Sequence, residues 1–278
     1  MKKPIVMCVS IHKGGSSKTT TAGNLAYSLG KMGYKVLLID TDSQKNLSHS
    51  YGFNKSEEEY GNKNFFAILN NVWGETKEKQ ELGDIKNNIL PTNYENLDIV
   101  LGSRNLVRAS EGLSTVMYSE QIMEDILEPL REEAYYDFVI IDTDSTLGTL
   151  NTAILQASDG AIIALTPSSF GMEGLATFIS HFKFTKKKSR SPVEIYGIVF
   201  SDIDKRESMS TEVPSVVKQF IQTTEQGIRV FETHIPKDAN INKAQGEHIP
   251  IGRAYPNSRS VQAYDELARE VVEHVKDR

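Results

Sequence analysis

Short apolar runs rich in β-branched residues recur along the chain: Ile5–Ile11, Lys35–Ile39, Leu97–Leu101, Phe138–Ile141, Ala161–Leu165 and Ile195–Phe200. Each is a continuous run and so reads as a strand buried on both faces, the signature of a parallel sheet. Helical spacing appears between them. Ala22, Leu25, Ala26, Leu29 and Met32 form one stripe that Gly33 ends. Ile122, Ile126, Leu127 and Leu130 form a second. Val261, Tyr264, Leu267, Ala268, Val271, Val272 and Val275 predict a terminal amphipathic helix over about 258–276. Strand and helix alternate throughout. The pattern predicts an α/β fold with a doubly wound, mostly parallel sheet flanked by helices, and one domain over residues 1–278. The polar stretch Asn54–Asn64 (NKSEEEYGNKN) predicts an exposed insertion.

Composition adds exclusions. The chain is 39% hydrophobic and 24% charged, ordinary for a globular protein. It has no apolar stretch of about 20 residues, so no membrane span is expected. The opening MKKPIVMCVSIHKGG lacks a small-residue cleavage site and reads as a strand rather than a signal peptide. Cys8 is the only cysteine, which precludes an internal disulfide and, unless chains share one, a cysteine-bridged iron–sulfur cluster. Inside an apolar strand it reads as a small buried hydrophobe, and a cytoplasmic location is expected. A net charge of -6 opposes wholesale wrapping of nucleic acid but permits a local basic patch.

The stretch Ser10–Asn24, SIHKGGSSKTTTAGN, is a near match to the phosphate loop G-x-x-x-x-G-K-[ST]. Lys18 and Thr19 fit its end, while His12 and Ser17 stand where the two glycines belong. It directly follows the first strand and opens the first helix, where backbone N–H groups and a helix N-terminus converge on an anion. Gly14 and Gly15 allow close backbone approach. Lys18 can reach the outer phosphates, and the Thr19 hydroxyl can ligate Mg²⁺. The same letters also fit an ordinary strand–helix turn with a Thr cap. Two further stretches weigh against that. VLLIDTDSQKNLS puts Asp40 and Asp42 at the end of the second strand, and YYDFVIIDTDSTLG puts Asp142 at the end of another. In a doubly wound sheet these strand ends share the ligand-binding edge.

Together these stretches resemble the ParA/MinD family of deviant Walker ATPases, and ParA partition proteins within it. The family loop K-G-G-x-G-K-T-T corresponds to Lys13-Gly14-Gly15-Ser16-Ser17-Lys18-Thr19-Thr20. The likeness continues through NLAYSLGKMGYKVLLIDTDSQKNLS, VIIDTDSTLGTLNTAILQASDGAIIALTPSSFGMEGL, GIVFSDIDKRESMSTEV and VFETHIPKDANINKAQGEHIPIGRAYPNSRSVQAYDELARE. Three departures stand out. Ser17 replaces a glycine, D-P-Q is Asp42-Ser43-Gln44, and D-T-P-P-S-L-G is Asp142-Thr143-Asp144-Ser145-Thr146-Leu147-Gly148. Loss of these prolines should loosen the two loops, and Asp144 adds negative charge near the phosphates.

The resemblance implies a P-loop NTPase of the deviant Walker A type that binds Mg²⁺ and ATP and hydrolyses the nucleotide. It assigns nucleotide binding to Lys13, Gly14, Gly15, Ser16, Ser17, Lys18, Thr19 and Thr20, with Pro236, Lys237 and Asp238 on the adenine side. It assigns catalysis to Lys13 acting in trans, Lys18 in cis, Asp42 orienting water, and Asp40 in support. Thr19, Asp42 and Asp142 should hold the metal. It further implies an ATP-bound homodimer on non-specific DNA, hence nucleoid-associated, and release when a ParB-like centromere-binding protein stimulates hydrolysis. Basic candidates for DNA are Lys186, Lys187, Lys188, Arg206, Lys237 and Lys243, with Lys183, Arg190 and Lys205 beside them. The 183–190 run reads equally as a solvated loop. Two alternatives remain: a MinD-like membrane-positioning ATPase and a nucleotide-binding regulatory module with little turnover. The Val-rich end LAREVVEHVKDR lacks the bulky apolar residues of a membrane-binding helix, so no membrane partner is expected. With only twelve residues before Lys13, no DNA-reading helix-turn-helix is expected ahead of the loop.

Overall fold

A strand that is apolar at every position has two faces to bury, and this chain supplies a helical layer for each. The computed structural model describes residues 3–73, 84–189, 191–223 and 228–276. Its strands are β1 (Ile5–Ser10), β2 (Val36–Asp40), β3 (Ile89–Pro91), β4 (Leu97–Val100), β5 (Phe138–Asp142), β6 (Gly160–Leu165), β7 (Glu194–Ile203) and β8 (Val230–Pro236). They form one eight-stranded sheet in the order β3-β4-β2-β5-β1-β6-β7-β8. Every pairing is parallel except β3 with β4. The chain crosses over β1 in passing from β5 to β6. The loop after β1 therefore lies at the centre of the carboxyl edge, the place where such sheets bind ligands.

Alternate residues of β1 face opposite layers, as strand geometry requires. Val6 and Cys8 join the core beneath α3 (Phe65–Trp73), α4 (Leu106–Leu113), α5 (Ile122–Glu133), α6 (Thr149–Ala157), α7 (Ser169–Ser189) and α8 (Met209–Thr223). Met7 and Val9 join the other core, under α1 (Lys18–Lys31), α2 (Asn46–Ser50), α9 (Ala239–Gly246), α10 (Ile251–Ala254) and α11 (Arg259–Lys276). The predicted stripe of α1 is its buried face, with Ala22, Leu25, Ala26 and Leu29 at 0% exposure, while Met32 lies outside it. Gly33, at φ 92, then turns the chain out, and the Tyr34 N–H bonds the Leu29 carbonyl. Cys8 is fully buried, and burial pushes its thiol up to about 11, so it is an inert core residue.

Two strands escape the apolar-run pattern because they lie at the sheet's edges. β3 has three residues. β8 alternates buried and more open positions along VFETHIP, so it shows no continuous run. The terminal helix α11 covers this edge. Its Glu270 carboxylate accepts the main-chain N–H groups of Glu232 at 3.0 Å and Thr233 at 2.8 Å, which blocks further strand addition. Its apolar face, including Val261, Tyr264, Leu267, Val271 and Val272, is buried against the domain. No helix among the described residues is long and apolar enough to cross a membrane. The 54–64 segment is mostly exposed, but Glu57 ties it down by accepting from Asn64 at 3.1 Å and Ser103 at 3.0 Å.

Leu267 is fully buried between α1 and the sheet. Leu267→Ala should lower unfolding free energy by about 2–5 kcal/mol, the usual cost of such a cavity. A urea titration followed by circular dichroism measures it. A loss below about 0.5 kcal/mol would mean that α11 is not docked.

Candidate functional site

The register between β2 and β5 sets Asp40 beside Asp142, and that between β1 and β5 sets Val9 beside Asp142. Three strand ends thus converge next to the β1–α1 loop. Within that loop Gly15 has φ 68 and Ser17 has φ 67, ψ 18. Ser17 therefore occupies the left-handed region that glycine adopts freely, at a cost of about 1–2 kcal/mol to an L-residue. Serine can take up the required backbone shape, which is how this loop dispenses with its second glycine. A Cβ added at Gly14 or Gly15 would meet nothing within 4 Å. The loop leaves that space open.

The open space is part of a cleft of about 580 Å³ lined by the loop from Gly14 to Thr20. Asp42, Gln44, Asn46, His49 and Ser50 form one wall, and Ser145, Gln245 and His248 complete it. The two histidines approach edge-on with ring centroids 6.4 Å apart. Asn46, His49, Ser145, Gln245 and His248 were not marked by the sequence patterns. His248 is at φ 59 after α9, and nothing in the letters signals that turn.

The two loop lysines go different ways. Lys18 is buried and donates to the Lys13 carbonyl at 2.9 Å. Burial lowers its pKa, opposed by Asp142, Asp42 and Asp144. Lys13 is not part of the cleft lining; its Nζ donates to Ser168 Oγ at 2.8 Å. No sequence pattern singles out Ser168 as that partner.

The carboxylates also divide. Asp40 is fully buried and already satisfied. Its Oδ2 accepts from the Ser48 N–H at 2.8 Å and the Ser48 hydroxyl at 2.6 Å, and Oδ1 accepts from the Asp42 N–H at 3.1 Å. The Ser48 oxygen in turn accepts the Gly102 N–H at 2.9 Å, and a Cβ at Gly102 would come within 2.8 Å of the Asp40 carboxyl carbon. Asp40 thus anchors α2 and the loop after β4. Burial pushes its pKa up to about 6 against these hydrogen bonds.

Asp142 is the opposite case. It is fully buried, and neither carboxylate oxygen has a partner in hydrogen-bonding geometry. Burial, then the Asp40 charge, hold its pKa well above the usual carboxylate range, with Thr19 and Lys18 countering. An orphaned buried carboxylate beside a threonine hydroxyl fits a hard divalent cation reached directly or through water. No group of three or more His, Cys, Asp or Glu side chains able to hold a metal occurs among the described residues. The donor set of Thr19, Asp42 and Asp142 therefore fits a cation that takes its remaining ligands from phosphate and water. Asp42 lies at the cleft, half-buried, and burial raises its pKa.

The expected looseness of the proline-free loops is offset locally. Asp144 Oδ1 accepts from the Thr146 N–H at 2.7 Å and from Asn151 Nδ2 at 2.5 Å. Asp42 Oδ1 accepts the Gln44 N–H at 2.9 Å. Hydrogen bonds replace the missing proline rings.

Other expected residues lie apart from the cleft. Asp238 caps α9 by accepting the Asn240 N–H at 2.9 Å, and its carboxylate also engages Ser258 and Ser260. Pro236 and Lys237 line a separate groove of about 700 Å³ at the ends of β7 and β8. The basic candidates split as well. Arg206 and Lys237 follow the carboxyl ends of β7 and β8, while Lys186, Lys187 and Lys188 end α7 just before β7 begins. β7 has ten residues, so at ~3.3 Å per residue about 33 Å separates its ends. Lys205 and Lys243 are exposed on the Arg206 side, Lys183 lies on α7, and Arg190 falls outside the described residues.

Comparison with known proteins agrees with this geometry. A family model described as an AAA domain matches residues 4–195. The chromosome-partitioning ATPase Soj of Treponema pallidum is 30% identical over 260 residues, covering 94% of each chain. The sporulation initiation inhibitor protein Soj of Bacillus subtilis is 28% identical over 266 residues, covering 96% of this chain and 97% of that one. Among solved structures, a Cyanothece McdA–ATP complex superposes with a TM-score of 0.82 at 19% identity, covering 98% of each chain, and so shares the fold. Likeness in sequence over nearly the whole length and likeness in fold coincide, and the chain belongs to the ParA/MinD family of P-loop ATPases.

Proposed function

We propose that this protein is an ATP-dependent DNA-partition ATPase. It binds Mg-ATP, pairs face to face with a second copy, holds DNA without sequence preference, and lets go when a ParB-like partner stimulates hydrolysis. The observation that carries the reading is the parting of the two loop lysines. Lys18 serves its own cleft, while Lys13 stands outside it, available to a neighbouring protomer. The name of the Treponema pallidum relative, a chromosome-partitioning ATPase, supports a role in partition.

In this mechanism the N–H groups of Gly14–Thr20 cradle the phosphates, and Lys18 exchanges the Lys13 carbonyl for the outer phosphate oxygens. Thr19, Asp42 and Asp142 would hold Mg²⁺, which when bound would neutralise phosphate charge. Asp42 orients a water and accepts its proton as the water oxygen attacks the terminal phosphorus. The bond to the bridging oxygen breaks, leaving ADP and inorganic phosphate. Lys13 of the partner protomer stabilises the charge that develops there. Asp40 positions Asp42 through its backbone bond and takes no proton. DNA contacts come from the carboxyl-edge residues Lys205, Arg206, Lys237 and Lys243. The α7 lysines lie at the far edge and serve as a solvated helix end.

Lys13→Gln should leave nucleotide binding within about threefold but abolish the ATP-dependent dimer or its turnover. Fluorescent-nucleotide titration and analytical ultracentrifugation test this, and wild-type dimerisation together with wild-type hydrolysis would remove the trans role. Asp42→Ala should slow hydrolysis about 10²-fold or more while ATP still binds. A normal phosphate-release rate would assign the water to another group.

Asp142→Asn should raise the melting temperature of the nucleotide-free protein, because the fold no longer has to hold protonated a carboxyl that ionises freely in the unfolded chain, while weakening the Mg²⁺ dependence of nucleotide binding. The raised pKa values of Asp40 and Asp142 mean that the folded state binds protons more tightly than the unfolded chain. Their contribution is therefore fully present at low pH and is lost as pH rises through about 6 for Asp40. The melting temperature of the nucleotide-free wild type should fall as pH rises from the ordinary carboxylate range towards about 6, where the unfolded chain has released these protons and the folded chain has not, and less so in Asp142→Asn. A variant that melts lower than wild type would show that Asp142 is already compensated.

A further inference from the structure

The groove at the ends of β7 and β8 is basic in its letters but not in its contacts. Arg206 has a side chain 88% exposed, yet it forks onto Asp204: Nε to Oδ1 at 2.8 Å and Nη2 to Oδ2 at 2.6 Å. Asp204 is the rooted partner. Its side chain is only 10% exposed, its N–H donates to Ser210 Oγ at 3.1 Å, and its Oδ1 also accepts the Arg206 N–H at 3.1 Å. The guanidinium holds the Asp204 carboxyl well below the usual carboxylate range. Lys237, from the end of β8, donates to Glu207 Oε1 at 3.0 Å. Arg206 and Lys237, two of the cations of this edge, are thus matched by carboxylates three residues apart on one short segment.

We propose that Asp204 and Glu207 are built-in competitors for the phosphates of DNA, so that Arg206 and Lys237 reach a DNA strand only by leaving a carboxylate of their own protomer. This rests on the DNA-binding reading above and adds its regulation. The exchange swaps one anion for another at each cation. The displaced DNA counterion is balanced by a cation gathered at the freed carboxylate, so each such contact contributes little net counterion release. Exposed ion pairs are individually weak, so each masks affinity about two- to fivefold rather than abolishing it. One protomer offers two masked contacts, and a dimer offers four. Masking weakens both states; a single protomer with two weakened contacts does not hold DNA, and the ATP-bound pair holds it by joining four.

The test is fluorescence anisotropy with a short duplex of arbitrary sequence and a non-hydrolysable ATP analogue, across a salt series. It uses the wild type, Asp204→Asn/Glu207→Gln, and the control Glu212→Gln/Glu266→Gln. The control removes the same charge from an exposed position of α8 and from the groove, and touches neither pair. The masked-contact variant should bind about tenfold or more tighter at low salt and gain detectable binding with ADP. Its log–log salt slope should be steeper by about 2 to 4 units, at ~0.9 per unmasked phosphate contact. The control should keep the wild-type slope. Glu207→Gln alone changes an exposed side chain, which guards against misfolding, and should give about half the steepening. Equal slopes in variant and wild type, or equal steepening in variant and control, would overturn the masking while DNA binding by the wild type stands. Failure of the wild type to bind DNA with the ATP analogue would overturn the DNA reading, and the masking with it.

Discussion

Two carboxylates set side by side in the middle of a buried sheet are the constraint on which this structure turns. The pairing of β2 with β5 makes Asp40 and Asp142 direct neighbours, both without solvent. Charge at such depth needs a partner. Asp40 finds one internally: Ser48 and the Asp42 backbone take up its oxygens, and the same serine ties in Gly102. A structural carboxylate thereby positions the whole wall that carries Asp42, Asn46 and His49. Asp142 finds none. The folded chain therefore carries a local deficit of positive charge at one point, next to Thr19 and Lys18, and that point is where a divalent cation belongs. Stability is given up at the site and recovered on binding.

The loop above these carboxylates shows how a backbone shape can outlast the residue usually chosen for it. Ser17 takes a left-handed conformation that glycine would adopt at lower cost, because the strand before it and the helix after it fix both ends of the turn. The neighbouring loops follow the same logic. Where proline rings would stiffen them, the side chains of Asp42 and Asp144 hold the next residues by hydrogen bonds. Such bonds can open and re-form, whereas a ring cannot. The extra negative charge of Asp144 is met by Thr146 and Asn151, so it need not act on the phosphates at full strength.

A net charge of -6 and a proposed affinity for DNA are compatible because charge acts locally. The basic residues do not pool into one patch. The length of β7 puts the α7 lysines at the edge away from the cleft, and at the near edge Arg206 and Lys237 are tied to Asp204 and Glu207. Any polyanion met at the near edge competes with the protein's own carboxylates.

The sequence alone determined the doubly wound sheet. An uninterrupted run such as VLLID has no polar face to offer solvent, so it must lie between two layers. It also determined the phosphate loop and the strand-end aspartates, because their chemistry depends on neighbours in the chain. Edge strands β3 and β8 escaped notice, one for brevity and the other because half its positions are open. Only the tertiary structure could separate Asp40 from Asp142, or send Lys13 to Ser168 and Lys18 into the cleft. It also put Pro236 and Lys237 in another groove and brought His49, Gln245 and His248 to the cleft. Each of these outcomes depends on contacts between residues far apart in sequence. Spacing along the chain encodes periodicity and local turns, but not which of two equivalent carboxylates a distant serine will satisfy.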